Sequence, residues 1–292
     1  MREFLPQLEP IVAAHLGVPW RATGFTDLGD RASHRCGIFR GAPIDVFAKL
    51  NTGGETDPEL RGLSLLRGFS APVPAPIGAV PVAGGTLLLL NAIPEITERN
   101  PAQWAGIGRV LGTLHRTYGE SFGLDFDGFF GPLRQDNRTT PDWPSFYASR
   151  RLLPLLRLAV DAGHVDSSLA AGISRVIDRL PLLCGPAPRP ALLHGDAQQN
   201  NFLTAADGTY LLDVSPYYGH PEVDLALLDY FAPVPPIVFD AYRDVTPIDP
   251  EFPSRRELWR LHGYLAVLIV DGASDFGRPF LGRVADVVKR YR

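Results

Sequence analysis

Cysteine is scarce in this chain of 292 residues: only Cys36 and Cys184 occur, far apart in sequence. Two such thiols form no disulfide framework, and with only His34 close to Cys36 in sequence they make a poor zinc site. Two unpaired thiols are expected. Lysine is equally rare, since Lys49 and Lys289 are the only two among 28 Lys and Arg residues. A basic excess is missing too; the formal net charge of −4 excludes a general nucleic-acid surface. No run of about eighteen apolar residues exists that could span a bilayer. The longest apolar stretches, Leu87 to Leu90 and Leu265 to Val270, have the lengths of a buried strand and a buried helix. Glu3 and Glu9 interrupt any leader-like opening, so the expectation is a cytoplasmic protein with no membrane partner. What is present, 45% apolar and 21% charged residues, is ordinary globular composition at a length that suits two lobes.

The most informative stretch is His194-Gly195-Asp196-Ala197-Gln198-Gln199-Asn200-Asn201, followed by Leu211-Leu212-Asp213. It sets a carboxylate, a carboxamide and a second carboxylate in the order used by kinase-like phosphotransferases. There the first Asp accepts a hydroxyl proton, while the Asn and the second Asp hold Mg2+ against the phosphates of ATP. Phosphoryl transfer asks a protein for positioned charge rather than covalent chemistry, which this segment offers. A polar loop between two strands of any α/β protein is the bland alternative, and the paired halves of the motif weigh against it. The kinase-like reading predicts a short strand near Asn201 to Leu203, a turn at Ala206-Asp207-Gly208 and a strand at Tyr210 to Leu212; Asp-Gly between apolar runs is a hairpin signal. His194 is expected to brace this loop by hydrogen bonding, and Asp224 to cap its helix or anchor the loop.

Periodicity organises the rest. Residues 3–16 read as an amphipathic helix through Phe4, Leu5, Leu8, Ile11, Val12 and Leu16. Strands are predicted around His34 to Phe39, Asp45 to Leu50, Ile77 to Val82 and Thr86 to Leu90, with one helix from Asp57 to Phe69 that Pro72, Pro74 and Pro76 prevent from continuing. From about Asn91 helices dominate: Pro101 to Tyr118, Trp143 to Ala162, Ser167 to Leu183, Val223 to Phe231, Pro235 to Arg243, Glu257 to Ala273 and Phe280 to Arg290. The expected class is therefore α+β, a two-lobed protein-kinase-like fold. Its small β-rich N-lobe spans 1–90 with one main helix, and its larger, mostly helical C-lobe spans 91–292 with hinge, catalytic loop and acceptor site. The ligand cleft is expected where the lobes meet.

In that layout Lys49, within the apolar strand Val46-Phe47-Ala48-Lys49-Leu50, is a candidate anchor for the α- and β-phosphates, with Glu59 on the next helix as the carboxylate that holds it. A Lys here, in a chain that otherwise uses Arg, points to a need for a compact ammonium. The bland reading of Lys49 is a solvated edge residue. Gly29, the single glycine of Leu28-Gly29-Asp30-Arg31-Ala32-Ser33, is the candidate phosphate-loop glycine. Leu90, Asn91 and Ala92 follow the last small-lobe strand and are expected to meet adenine through backbone groups.

On these residues the chain resembles the fructosamine kinase (ketosamine 3-kinase) family, relatives of the aminoglycoside and choline phosphotransferases. Tyr217-Tyr218-Gly219-His220-Pro221-Glu222 is similar to that family's Tyr-Gly-His-Glu segment. Phe122-Gly123-Leu124, Gly131-Pro132-Leu133, Gln135, Asn137, Asp142-Trp143 and Arg150-Arg151-Leu152 are similar to its central insert, and Glu59, Gly62 and Leu63 to its helix. The chain differs from the usual pattern at Gln198, where an aromatic is common, at Asn200, where Gly is common, and at Asn91, where Glu is common. The resemblance implies ATP-dependent phosphorylation of a sugar hydroxyl on a ketoamine such as a fructosamine or ribulosamine, a small-molecule partner. It implies Asp196 as catalytic base, Asn201 and Asp213 as Mg2+ ligands and Lys49 as phosphate anchor. An aminoglycoside- or choline-type acceptor, or a nucleotide-binding pseudokinase, are the alternatives. Tyr217, Tyr218 and His220 either face the acceptor or pack, and Gln135 and Asn137 are read as structural before sugar-binding.

Overall fold

The structure, a computed structural model, describes residues 1–31 and 34–292. In chain order its main elements are α1 (Leu5–Leu16), β1 (Gly24–Asp27), β2 (Cys36–Arg40), β3 (Val46–Asn51), α2 (Thr56–Gly68), β4 (Pro76–Val82), β5 (Gly85–Asn91) and α3 (Pro101–Leu114). There follow β6 (Gly128–Phe130), β7 (Leu133–Gln135), α4 (Trp143–Phe146), a π-helical turn (Tyr147–Leu152), α5 (Leu153–Asp161), α6 (Ser167–Asp178) and α7 (Leu180–Leu183). The remainder is β8 (Ala191–Leu192), β9 (Phe202–Ala205), β10 (Gly208–Leu211), β11 (Tyr218–Gly219), α8 (Glu222–Leu227), α9 (Ile237–Arg243), α10 (Phe252–Asp271) and α11 (Pro279–Tyr291). The chain divides into two compact units, Met1–Asn100 with Phe202–Val214, and Pro101–Asn201 with Ser215–Arg292.

The first unit is built on a five-stranded antiparallel sheet in the order β1-β2-β3-β5-β4. Strand alternation explains its core. Val46, Ala48 and Leu50 of β3 and Leu87 and Leu89 of β5 join Phe4, Leu8 and Val12 from the N-terminal helical segment in one buried cluster. Residues i and i+2 share a face, so Phe47, Lys49 and Asn51 point the other way. The four consecutive leucines of β5 are all buried, as expected of a strand covered on both faces; α2 packs against β4 and β5. Hairpin β9–β10 belongs to this unit, with Leu211 N–H donating to Pro72 O at 2.8 Å.

The expected lobe boundary at 90/91 lies ten residues too early for these units, and the expected C-lobe included the hairpin. Hydrogen bonds account for both differences. Ile96 N–H donates to Thr204 O at 2.7 Å and Arg99 Nε to Thr204 Oγ1 at 2.9 Å, and Arg99 also donates to Phe202 O. These contacts tie residues 91–100 and the hairpin to one another.

The second unit is mostly helical. α3 and α9 cross so closely that a Cβ on Gly108 would stand 2.0 Å from Val238 O. α10, its longest helix, packs against α5, α8 and α11. Between them Trp143, Tyr147, Trp259 and His220 form an aromatic cluster. Element edges differ from expectation where proline or pairing intervenes. α10 starts at Phe252 rather than Glu257 because a proline occupies its first turn, where a missing N–H costs nothing. The helix expected over Ser167 to Leu183 breaks into α6 and α7 ahead of Pro181. α3 stops at Leu114 because Thr117 O accepts from Leu192 N at 2.8 Å and Tyr118 bridges Ala191, which draws the chain into an extended path. Both cysteines are buried and free. Among the described residues, no helix is long and apolar enough to cross a membrane.

Candidate active site

Lys49 is carried on the sheet face opposite the α1 core, and there the structure brings Glu59 to it. Lys49 Nζ donates to both Glu59 oxygens at 3.1 Å and to Asp213 Oδ1 at 2.7 Å. Its two partners differ in exposure: the Glu59 side chain is 10% accessible and that of Asp213 is 56%. Glu59 is therefore the fixed brace, while Asp213 is the partner a ligand can reach. Burial favours a neutral amine, but the Asp213 and Glu59 charges outweigh it and hold the Lys49 pKa above its ordinary value. Burial likewise pushes the Glu59 carboxyl up, against the pull of Lys49. The ammonium stays charged. Asn51, two residues along the same strand face, donates from Nδ2 to Glu59 Oε2 at 3.2 Å. That second brace was not foreseen, although its period-2 spacing from Lys49 was the available signal.

In the second unit the loop after β8 is shaped by one glycine and one buried carboxylate. Gly195 has φ +86°, and a Cβ there would lie 1.8 Å from Ser215 O, so only glycine fits. Asp224, fully buried on α8, accepts from His194 N at 2.7 Å and Gly195 N at 3.1 Å, and pairs with His115 Nε2 at 3.0 Å. His115 in turn meets the Tyr242 hydroxyl at 2.7 Å. Asp224 thus anchors the loop rather than capping its own helix. His194 Nδ1 accepts from Asp196 N at 3.2 Å, the expected bracing role. Asn201 Nδ2 donates to Asp196 O at 2.8 Å and Asp196 Oδ2 at 3.0 Å. With its nitrogen so engaged, its Oδ1 points away from Asp196, as an oxygen ligand for a hard cation should. Gln198 Nε2 lies 3.1 Å from both Asp196 carboxylate oxygens. His115, Tyr242 and the Gln198 contact escaped the sequence reading, because partners more than 100 residues apart and loop rotamers leave no periodic trace.

Asp213 adopts φ +48°, a left-handed conformation that Asp tolerates better than most residues. It and Asn201 offer carboxylate and amide oxygens, the donor chemistry Mg2+ prefers. Among the described residues no group of three or more His, Cys, Asp or Glu forms a metal cage. Gly29 opens a single 3-10 turn, Gly29–Arg31, and its N–H donates to Asp27 Oδ1 at 2.9 Å. Ala32 and Ser33 of the expected phosphate loop lie outside the described residues. Leu90 and Asn91 end β5. The Asn91 N–H already donates to Ala75 O at 2.8 Å and the Ala92 N–H to Asp45 O at 3.0 Å. Both N–H groups are thus engaged at the end of the sheet, which leaves the carbonyls as the main-chain groups open to a ligand.

The side chains read as acceptor or packing candidates sort mainly to packing. Asn137 Oδ1 accepts from Arg151 at 2.7 Å, and Arg151, itself buried, lies over the Tyr217 and Phe146 rings at 4.1 and 4.7 Å. Burial lowers the Arg151 pKa. Gln135 pairs with His262 at 2.8 Å in the interior, and His220 is buried. Tyr218 alone of Tyr217, Tyr218 and His220 keeps partial exposure. Glu222, Arg255 and Trp259 form a further buried cluster, with bonds of 2.6 to 2.9 Å, that the sequence did not reveal.

With the antiparallel sheet, the braced lysine and the glycine-hinged Asp loop in view, the class of fold is kinase-like. The aminoglycoside phosphotransferase APH(4)-Ia superposes with a TM-score of 0.64 at 16% identity, over 98% of this chain and 99% of that one, a likeness of fold. More specifically, the fructosamine kinase family model matches residues 7–290, and the chain belongs to that family. The crystal structure of a candidate fructosamine-3-kinase from Thermobifida fusca YX-ER1 is 30% identical with a TM-score of 0.82, covering 97% of this chain and 98% of that one. The protein named probable ketoamine kinase YniA of Escherichia coli (strain K12) is 32% identical over 160 residues, 54% of this chain and 55% of the relative. The match thus spans little more than half of that relative's length. The chloroplastic protein-ribulosamine 3-kinase of Oryza sativa subsp. japonica is 28% identical over 261 residues, 85% of this chain and 74% of the relative.

Proposed function

We propose that this protein is an ATP-dependent kinase that phosphorylates a sugar hydroxyl of a ketoamine, of the fructosamine or ribulosamine kind. The observation that carries this reading is family membership across residues 7–290. Asp196, Asn201, Asp213, Lys49 and Glu59 supply the residue types the chemistry requires, and relatives named for ketoamines and ribulosamines support the substrate class. Asp196 accepts the proton of the acceptor hydroxyl as the oxygen bonds to the γ-phosphorus, while the bond to the β-phosphate oxygen breaks and ADP leaves. Lys49, held by Glu59, is assigned to the nucleotide phosphates. Asn201 and Asp213 are assigned as ligands of Mg2+, which when bound neutralises phosphate charge. Gly29 is assigned to the phosphate loop, and Leu90 to the adenine site with whatever carbonyls of Asn91 and Ala92 face it. The free thiols Cys36 and Cys184 suit a reducing compartment, and we place the protein in the cytoplasm.

The test is Mg2+-dependent turnover of ATP with ribulosyl-lysine or fructosyl-lysine, set against an aminoglycoside and choline. Ketoamines are expected to be phosphorylated and the others not. Asp196→Asn should cut kcat by about 10²- to 10⁴-fold while leaving nucleotide binding near wild type, and Lys49→Ala should chiefly weaken nucleotide binding. Equal loss of nucleotide binding in both variants would contradict the assigned roles, and turnover confined to aminoglycoside or choline would move the acceptor class.

A further inference from the structure

We infer that Gln198 is a positioning residue for the Asp196 carboxylate, an assignment that rests on the proposed role of Asp196 as the base. Gln198 Nε2 stands 3.1 Å from Oδ1 and 3.1 Å from Oδ2, so a single amide nitrogen straddles the carboxylate. An ionised carboxylate only accepts hydrogen bonds, so the carboxamide must face it with its NH2 and turn its oxygen away; the opposite amide orientation would set oxygen against oxygen.

The geometry does something that the Asn201 bond does not do alone. The terminal torsion of an Asp side chain is intrinsically broad, and the Asn201 contact, at 3.0 Å to Oδ2, holds one oxygen only. A donor equidistant from both oxygens opposes rotation of the carboxylate, because any turn lengthens at least one of its two bonds. The chain delivers Gln198 to this place by local means. Ala197 between the two residues is fully buried, and Gln199–Asn201 form a 3-10 turn directly after Gln198. The side chain is therefore partly buried and held, not waving in solvent.

A base must meet its hydroxyl in a narrow range of positions and angles, and a small misplacement costs rate rather than affinity. Losing Gln198 should then lower kcat while leaving both Michaelis constants in place. The experiment is steady-state kinetics of Gln198→Met, which keeps length and removes the donor, with ATP and ribulosyl-lysine varied in turn and Asp196→Asn run alongside. Gln198→Leu carries the same measurement if the Met variant does not fold, and thermal melts establish folding in each. The expected result is a kcat at least about tenfold lower, with both KM values within about twofold of wild type. Unchanged kcat, or a loss confined to the acceptor KM, overturns the positioning role. Wild-type turnover in Asp196→Asn overturns the base assignment, and this inference with it; abolished turnover there beside a normal Gln198→Met overturns the Gln198 role alone.

Discussion

At the scale of single residues, some identities here are dictated by sterics and others by partners. Gly195 belongs to the first kind, since its φ of +86° and the 1.8 Å approach of Ser215 O to an added Cβ leave no room for a side chain. Gly195→Ala should destabilise the protein by at least about 2 kcal/mol, read by denaturant unfolding, because strain and displacement of the loop add together. Wild-type stability would mean that the loop can relax away from Ser215. Lys49 and Glu59 belong to the second kind. Their pairing was legible, because the downstream order Asp196, Asn201, Asp213 favoured it over a solvated edge lysine. Asn51 and Gln198 were not, because each acts through a hydrogen bond whose geometry depends on a neighbour's rotamer.

At the scale of elements, the six residues of α8 hold the His194–Asn201 loop and the helical core together. Asp224 accepts two main-chain N–H groups of the loop, and Glu222 accepts from Arg255 of α10 at 2.6 Å and from Trp259 of α10 at 2.7 Å. Asp224→Asn offers one oxygen where two were used and sets an amide N–H against a main-chain donor. Leaving a buried donor unpaired is expected to cost about 3 kcal/mol, measurable by urea unfolding. Asp224→Asn unfolding at the wild-type midpoint would show that the loop is anchored elsewhere. The sequence indicated a helix here from Val223 to Phe231; the structure ends it at Leu227. Apolar residues continue past that point, so hydrophobicity alone could not place the stop.

At the scale of the whole molecule, acid should be the more damaging direction of pH. Burial holds His220 and His262 down to about 3 each, so both stay neutral in the folded protein well below the ordinary imidazole range. In the unfolded chain each takes up a proton near the ordinary imidazole value of 6.5. Between those limits the unfolded state binds more protons, so stability is full above pH 6.5 and declines as pH falls toward 3. Two such groups give a slope approaching about 3 kcal/mol per pH unit in that interval. Urea unfolding at pH 7.5, 6.5, 5.5 and 4.5 measures it, and His262→Gln should remove about half of the slope. A stability flat from pH 7.5 to 4.5 would show that these histidines are protonated in the folded state.

By itself the sequence determined the element types, the loop that carries Asp196 and Asn201, the Lys49–Glu59 pair and the family, because periodicity and short spacings are local properties of a chain. Only the tertiary structure decided that residues 91–100 and the β9–β10 hairpin join the first unit, that Asp224 reaches back across thirty residues to hold His194 and Gly195, and that Asn91 and Ala92 spend their N–H groups at the end of the sheet. Each of those outcomes is a hydrogen bond between groups distant in sequence, and its partner is chosen by packing, which no local pattern records.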